Sequence, residues 1–184
     1  YEFHYYVTRE RQNAVATRAH KLSSLKGFFK YLTSKTGQLA RKPVEDIETP
    51  KLKKRVPKYL SLNESIELLN NIQSDFPERD YCIITLFLNC GMRLSELVGL
   101  NINSIKEDTL RVIGKGNKER MIYLNEACLY ALDVYKKKRS SLSKLIDINA
   151  LFVSKRTGKR LSNRRVQQLI NQAFQTAGLD GKGY

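Results

Sequence analysis

Apolar residues recur at intervals of three and four along much of the chain, which predicts a mainly helical protein. The first such stretch runs from Asn13 to Leu32. Its apolar positions are Val15, Ala19, Leu22, Leu25, Phe28, Phe29 and Leu32. The remaining positions include Arg18, Lys21, Lys26 and Lys30, so we expect an amphipathic helix with a basic polar face.

Start and stop signals predict five more helices after residue 60. Ser61 and Glu64 have the spacing of a capping box, and Pro77 is typical of a first helical position. The predicted helices begin after Ser61, at Pro77, at Leu94, after Asn125 and after Ser162. Gly91 and Gly178 are predicted to end the second and the last of these helices, near Asn89 and Ala177.

Two segments alternate as strands do. They are Thr109 to Ile113 and Arg120 to Leu124, joined by residues 114–119. Glycine and asparagine in the joining segment supply the positive φ values of a tight turn, so we expect an antiparallel β-hairpin. Residues 151–153 are predicted as a short third strand. The expected fold class is mixed and mainly α, with a small antiparallel sheet.

The net charge of the chain indicates the kind of partner that it binds. The 184 residues carry 33 Lys and Arg against 18 Asp and Glu, a formal net charge of +15. Such a surplus favours a polyanionic partner. No run of about 18 apolar residues is present, so we rank double-stranded DNA above a membrane surface. We expect a cytoplasmic protein.

The metal-ligating residue types form no recognisable site. Cys82, Cys90 and Cys128 lack C-x-x-C spacing, and both histidines lie in the first twenty residues. The cysteines are interpreted as reduced core thiols. No metal and no cofactor is expected.

A basic segment with two prolines divides the chain. Residues 49–58, TPKLKKRVPK, cannot form a continuous helix, which predicts an extended linker. We therefore expect a helical domain at 1–48, this linker, and an α+β domain at 59–184.

Arg93 lies among apolar residues in NCGMRLSELVGL. It is either a solvent-edge residue of a turn or a guanidinium that holds an anion. Glu96, one helical turn later, could orient it. Lys115 lies at the tip of the predicted hairpin, although G-K-G alone is a weak signal.

Four segments in consistent order resemble the tyrosine recombinases (phage integrase family), especially Xer-like and conjugative-transposon integrases. They are TPKLKKRVPKYLSLNE, GMRLSELVGL, RVIGKGNKERMIYL and LFVSKRTGKRLSNRRVQQLINQAF. The resemblance implies that residues 1–48 are the end of a core-binding domain and that 59–184 are the first part of a catalytic domain.

The resemblance also implies roles for three residues. Arg93 matches the arginine that holds the scissile phosphate, Lys115 matches the hairpin lysine that protonates the departing 5′ oxygen, and Glu96 matches a residue that supports the arginine. The family reacts through a 3′-phosphotyrosyl intermediate without metal. Its H-x-x-R motif and nucleophilic tyrosine would follow Tyr184, so we expect further residues after Tyr184 and no DNA cleavage by residues 1–184 alone. Because the chain begins at Tyr1 without a start methionine, we also expect residues before it. The resemblance further implies a bacterial, nucleoid-associated protein.

The family holds DNA between two domains, which implies several DNA contacts in this chain. The residues assigned to DNA are Arg18, Lys21, Lys53, Lys54, Arg55, Lys118, Arg164 and Arg165. The parent protein is expected to form a tetramer on DNA, and residues 1–184 a monomer in solution. A non-catalytic DNA-binding protein of the same fold and a type IB topoisomerase are the alternatives.

Overall fold

The computed structural model describes residues 2–52, 56 and 58–182, apart from the side chain of His4. The chain divides into two compact units, residues 1–57 and 58–184. The predicted fold class is confirmed: the described elements are mainly helices, with one small antiparallel sheet.

The first unit contains α1 (Glu2–Tyr5), a π-helical turn (Tyr6–Glu10) and α2 (Val15–Ser34). Val7, Ala19, Leu22 and Val44 are its buried apolar residues. Because α2 is the longest element and its neighbours are short, most of its surface stays in contact with solvent. The predicted helix at 13–32 is confirmed to within two residues at each end.

Arg18 does not belong to the polar face of α2, and that prediction was wrong. It lies four residues before Leu22, on the same side of the helix, and is half-buried. Its Nη1 donates to Thr8 Oγ1 at 3.4 Å, and its side chain lines an apolar cavity of about 280 Å³ with Leu22 and Val44. The long aliphatic stem of arginine can cover apolar surface in this way.

Eight elements and two short turns build the second unit. They are α3 (Leu62–Asn70), α4 (Pro77–Cys90), α5 (Leu94–Gly99), β1 (Ile105–Lys106), β2 (Thr109–Ile113), β3 (Glu119–Tyr123), α6 (Glu126–Ser140) and α7 (Asn163–Thr176). Single-turn 3₁₀ helices lie at Ile102–Ser104 and Lys115–Asn117. The predicted helices after residue 60 are all present.

Local signals account for the helix ends. Ser61 Oγ accepts from the Glu64 N–H while Glu64 Oε2 accepts from the Ser61 N–H, which completes the predicted capping box. Asn125 and Ser162 cap α6 and α7 through their side-chain oxygens. Gly91 takes a left-handed conformation with φ of 54° and ends α4.

The core of the second unit forms around α4, which packs against α6. Cys82, Ile83 and Leu86 of α4 are fully buried, as are Tyr135 of α6 and Phe152. Burial raises the pKa of the Cys82 thiol. Cys128 is also buried and Cys90 is half-buried, and all three cysteines are free thiols.

The sheet has the order β1-β2-β3 and is antiparallel throughout. Thr109 pairs with Tyr123, Val112 with Arg120 and Ile113 with Glu119, so β2 and β3 form the predicted hairpin. The two-residue strand β1 was not predicted. It pairs with β2 across a tight turn in which Glu107 has φ of 50°.

Residues 151–153 do not form a strand of this sheet, so that prediction was wrong. Among them only Val153 takes part in a bridge, with Arg160, and Ala150 directly before them pairs with Asn101. The hydroxyl of Tyr135 donates to the Leu151 carbonyl and accepts from the Val153 N–H. A side chain from α6 therefore occupies backbone groups that a neighbouring strand would need.

Part of the basic surplus is structural. Arg79 is buried and donates a hydrogen bond to Asp80. Arg139 is buried and donates to the carbonyls of Ile148 and Ala150. Arg160 donates to the Val98 and Leu100 carbonyls. These side chains join loops to helices, so they are not available to an external anion.

Within residues 2–52, 56 and 58–182, no helix has the length and apolar character needed to cross a membrane.

Candidate active site

Arg93 occupies the turn between α4 and α5. Gly91 ends α4, Met92 is buried, and Arg93 is the extended residue directly before the first turn of α5, with φ of −78°. Its side chain is 68% exposed although its neighbours in sequence belong to the core. The turn thus directs one permanently charged group out of an apolar segment.

Glu96 holds Arg93 at two points. Glu96 Oε2 accepts from the Arg93 backbone N–H at 2.8 Å, and Glu96 Oε1 accepts from Arg93 Nη1 at 2.9 Å. The Glu96 side chain is only 3% exposed. A buried carboxylate needs such partners because its desolvation is costly. The backbone and the guanidinium of Arg93 are therefore fixed by one acidic group.

Arg120, on β3, is the second guanidinium on this carboxylate. Arg120 Nη1 donates to Glu96 Oε1 and Nη2 donates to Glu96 Oε2, both at 2.9 Å. This bidentate geometry is the strongest arrangement between arginine and a carboxylate. We call Arg93, Glu96 and Arg120 the Glu96 cluster. Its one negative and two positive charges leave a net charge of +1.

The Glu96 carboxylate stays ionised down to low pH. The Arg120 guanidinium is the main cause, with the Arg93 amide and guanidinium adding to it, and together they lower the pKa of Glu96 from 4.5 to about 2. Burial acts in the opposite direction but is outweighed. The charge that orients Arg93 is thus present at any physiological pH.

The hairpin that carries Lys115 begins against this cluster. A Cβ placed on Gly114 would lie 3.1 Å from Glu96 Oε1 and 3.5 Å from Arg120 Nη1, so a larger residue would require the carboxylate to shift by a few tenths of an ångström. The Gly114 N–H donates to the Lys118 carbonyl at 2.8 Å, which closes the turn. Positive φ at Gly116 and Asn117 completes it, as predicted.

Lys115 is exposed and follows Gly114 directly. Adjacent Cα atoms are about 3.8 Å apart, so the Lys115 backbone lies close to the carboxylate that also holds Arg93. The structure therefore brings together the surroundings of the two residues that the sequence singled out as catalytic. The side chains of Arg93 and Lys115 are both exposed.

The other residues assigned to DNA lie elsewhere. Lys118 is exposed in the hairpin turn, and Arg164 and Arg165 are exposed in the first turn of α7. Lys21 is half-buried on α2 of the first unit. Lys53, Lys54 and Arg55 lie outside the described residues.

Arg120 was missed by the reasoning from sequence, although a signal was present. In the alternating strand RMIYL, Arg120 shares a face with Ile122, the face that packs on the core. An arginine at a core-facing strand position needs acceptors inside the protein, and a buried carboxylate is one such acceptor.

Metal ligands are not assembled at this site. Among the residues that the structure describes, no three His, Cys, Asp or Glu side chains are placed to hold a metal ion.

Comparison with known proteins shows to which family the chain belongs. The sequence profile of the phage integrase family matches residues 58–183. The chain belongs to the phage integrase family. The tyrosine recombinase XerC of Caldanaerobacter subterraneus subsp. tengcongensis is 50% identical over all 184 residues, which correspond to 52% of that protein.

A second relative, the tyrosine recombinase XerC of Alcanivorax borkumensis, is 40% identical over 164 residues, 86% of this chain and 53% of that protein. This integrase-family chain thus spans about half the length of the curated relatives it matches. The recognition of a tyrosine recombinase from sequence motifs is confirmed.

Solved structures show the same fold. The XerA recombinase is 25% identical with a TM-score of 0.60, covering 98% of this chain and 60% of that one. The XerH recombinase in a post-cleavage complex with a palindromic difH substrate has a TM-score of 0.77 at 20% identity, covering 99% of this chain and 56% of that one. At this level of identity the XerH structure shows the fold alone.

Proposed function

We propose that the chain is part of a site-specific DNA recombinase of the tyrosine type. The observation that carries the proposal is the exposed Arg93 guanidinium, which the buried Glu96 carboxylate holds beside the base of the Lys115 hairpin. The names of the relatives and the substrate bound to XerH agree with it. Residues 59–184 are then the first part of a catalytic domain.

In the proposed reaction a tyrosine oxygen attacks a phosphorus atom of DNA, and the hydroxyl proton passes to solvent. The bond from phosphorus to the 5′ oxygen breaks, a 3′-phosphotyrosyl ester forms, and the departing 5′ oxygen takes a proton from Lys115. The non-bridging oxygens gain negative charge on the way, and Arg93 stabilises that charge. Rejoining is the reverse of this step, so no cofactor enters the balance.

DNA binding is proposed to use both units and the segment between them. Residues 1–48 would be the end of a core-binding domain that contacts DNA through Lys21. Arg18 is a poor candidate because its side chain lines an interior cavity. In the second unit, Lys118, Arg164 and Arg165 are exposed and can reach phosphates.

The basic segment 49–58 is proposed to follow the phosphate backbone through Lys53, Lys54 and Arg55. Each phosphate neutralised should steepen the slope of log affinity against log salt by about 0.9. Replacing all three residues by glutamine should reduce the slope by about 3. An unchanged slope would contradict this role.

The catalytic proposal is tested with the product of the full reading frame that encodes these residues and a nicked DNA substrate that traps the covalent adduct. Arg93→Met should lower the rate of adduct formation by about 100-fold or more, the usual cost of removing a donor to a transition-state oxyanion. Arg111→Met is the matched control, since it removes the same charge from the hairpin's outer face. Equal rates for the two variants would contradict the role of Arg93.

The role of Lys115 is separable from that of Arg93 by changing the leaving group. A DNA substrate with sulfur in place of the bridging 5′ oxygen needs no proton on departure, since a thiolate is a good leaving group. Lys115→Met should be slow on ordinary DNA and close to the unchanged protein on the sulfur substrate. Arg93→Met should be slow on both.

Adduct formation, relaxation of supercoiled DNA and strand exchange between two duplexes together decide between the alternatives. A protein that binds DNA without forming an adduct is the non-catalytic DNA-binding protein, and one that relaxes supercoils without exchanging strands is the topoisomerase. We propose strand exchange by four protomers on two duplexes, in the bacterial cytoplasm, with residues 1–184 monomeric in the absence of DNA. Light scattering with and without DNA measures this directly.

A further inference from the structure

Four donors fill the carboxylate of Glu96. Oε1 accepts from Arg93 Nη1 and Arg120 Nη1, and Oε2 accepts from the Arg93 N–H and Arg120 Nη2. Two carboxylate oxygens offer about four acceptor positions in all. The Glu96 carboxylate is therefore saturated, and half of its capacity belongs to Arg120.

This saturation limits how Arg93 can bind Glu96. A guanidinium gains most by donating from two nitrogens to both carboxylate oxygens. Arg93 donates only Nη1, because Arg120 already spans both oxygens in that way. Among the described residues, no group accepts from Arg93 Nε or Nη2. One edge of the Arg93 guanidinium thus remains open to solvent.

We propose that Arg120 is a positioning residue for Arg93. By spanning the Glu96 carboxylate it prevents Arg93 from closing onto the same group, and so leaves the Nε–Nη2 edge of Arg93 available to two oxygens of a phosphate group. The part that concerns phosphate rests on the proposed function. The competition between the two arginines for Glu96 does not.

The same contact joins the two halves of the site. Arg120 lies on β3, six residues after Gly114, and Gly114 stands against Glu96 Oε1. Both strands of the hairpin therefore meet the carboxylate that holds the turn before α5. A shift of the hairpin would move Lys115 and loosen Arg120 together.

A second arginine on the hairpin shows what an ordinary surface pair looks like. Arg111 Nη1 lies 3.5 Å from Glu119 Oε1 on the outer face, and both side chains are about half exposed. Such pairs contribute little and orient nothing buried. Arg111→Met therefore removes the same charge from the same hairpin without touching Glu96, which makes it the matched control for Arg120→Met.

The competition is tested on residues 1–184 by the rate at which phenylglyoxal modifies Arg93, read by peptide mass spectrometry with the exposed Arg164 as internal reference. In Arg120→Met, Arg93 closes onto Glu96, and its modification should slow by about tenfold, the effect of one further charge-assisted contact. Arg111→Met should leave the rate unchanged. An unchanged or faster rate in Arg120→Met overturns the proposal, because local unfolding would expose Arg93 rather than shield it.

A double variant sharpens the test. Glu96→Gln combined with Arg120→Met removes the charge onto which Arg93 would close, so Arg93 should regain most of its reactivity. If Arg120 only stabilises the fold, a second substitution in the Glu96 cluster should not restore the reactivity of Arg93. Absence of recovery overturns the proposal.

The link to phosphate chemistry is tested in the adduct assay with the full reading frame. Arg120→Met should slow adduct formation by about tenfold relative to Arg111→Met. If both variants react equally while the phenylglyoxal result holds, the competition stands and its catalytic consequence is overturned. If the unchanged protein forms no adduct, the proposed function fails, and the phenylglyoxal rates still decide the competition.

Discussion

Glu96→Gln removes one charge from the Glu96 cluster while keeping the size of the side chain. In either orientation of the new glutamine side chain, its amide nitrogen faces two hydrogen-bond donors. In the unchanged protein a carboxylate oxygen accepts a hydrogen bond from each of them. The variant thus imitates the protonated form of Glu96. Its cost is set by the same interactions that lower the pKa of Glu96 from 4.5 to about 2.

The magnitude follows from that shift. A difference of about 2.5 units corresponds to about 3 kcal/mol at most. Both arginine partners are partly exposed, at 68% and 39%, and can recover water contacts, so we expect about 2 kcal/mol of lost unfolding free energy at pH 7. The control is Glu119→Gln, whose exposed pair with Arg111 should cost less than about 0.5 kcal/mol.

The loss should depend on pH with a definite sign. Because the folded state lowers the pKa of Glu96, its charge stabilises the protein above about pH 4.5, and that contribution fades as the pH falls towards about 2. The gap between the unchanged protein and Glu96→Gln should therefore be full at pH 7 and about two fifths as large at pH 3.

Urea unfolding followed by circular dichroism measures this gap, and hydrogen exchange in β2 and β3 localises it to the second unit. Comparing two variants at each pH cancels the titration of the other carboxylates. A gap at pH 7 no larger than that of Glu119→Gln would refute the reasoning. So would a gap of constant size between pH 7 and pH 3.

Three further substitutions test the frame around the site by thermal or urea unfolding. Gly158→Ala should cost about 3 kcal/mol, since φ is 67° and the new Cβ would lie 2.5 Å from the Lys144 carbonyl oxygen; a cost under about 1 kcal/mol would contradict the geometry. Tyr135→Phe should cost about 1–3 kcal/mol because a buried carbonyl and a buried N–H lose their hydroxyl partner; a neutral result would show that the two backbone groups find another partner. Ser61→Ala should cost about 1 kcal/mol through the lost helix cap, and Ser61→Thr should retain most of it.

Helix boundaries were predictable because their causes are local. Ser61 and Glu64 satisfy each other's backbone within one turn, and Gly91 supplies a left-handed residue where α4 ends. The hairpin followed in the same way from alternation and from the glycines of its turn. Each of these features depends on residues that lie near one another in the sequence.

The failures share a different cause. Arg18 was assigned to the polar face of α2, but the packing of Val44 and its neighbours on Leu22 turned that side inward. Residues 151–153 have strand-like composition, yet the hydroxyl of Tyr135 occupies their backbone groups. In both cases a segment distant in sequence contacts a helix face or backbone groups whose partners the local sequence pattern does not specify.

The candidate site combines both kinds of information. The three-residue spacing of Arg93 and Glu96 places them on one helical turn, so their contact was foreseeable from sequence. The contact of Arg120 with Glu96 spans 24 residues and exists only because the sheet packs its inner face on the turn before α5. The amino-acid sequence thus determined which charged groups are present. Tertiary packing decided that Arg93 and Arg120 share one carboxylate, because a buried charge is stabilised only by partners that the fold brings within hydrogen-bond distance.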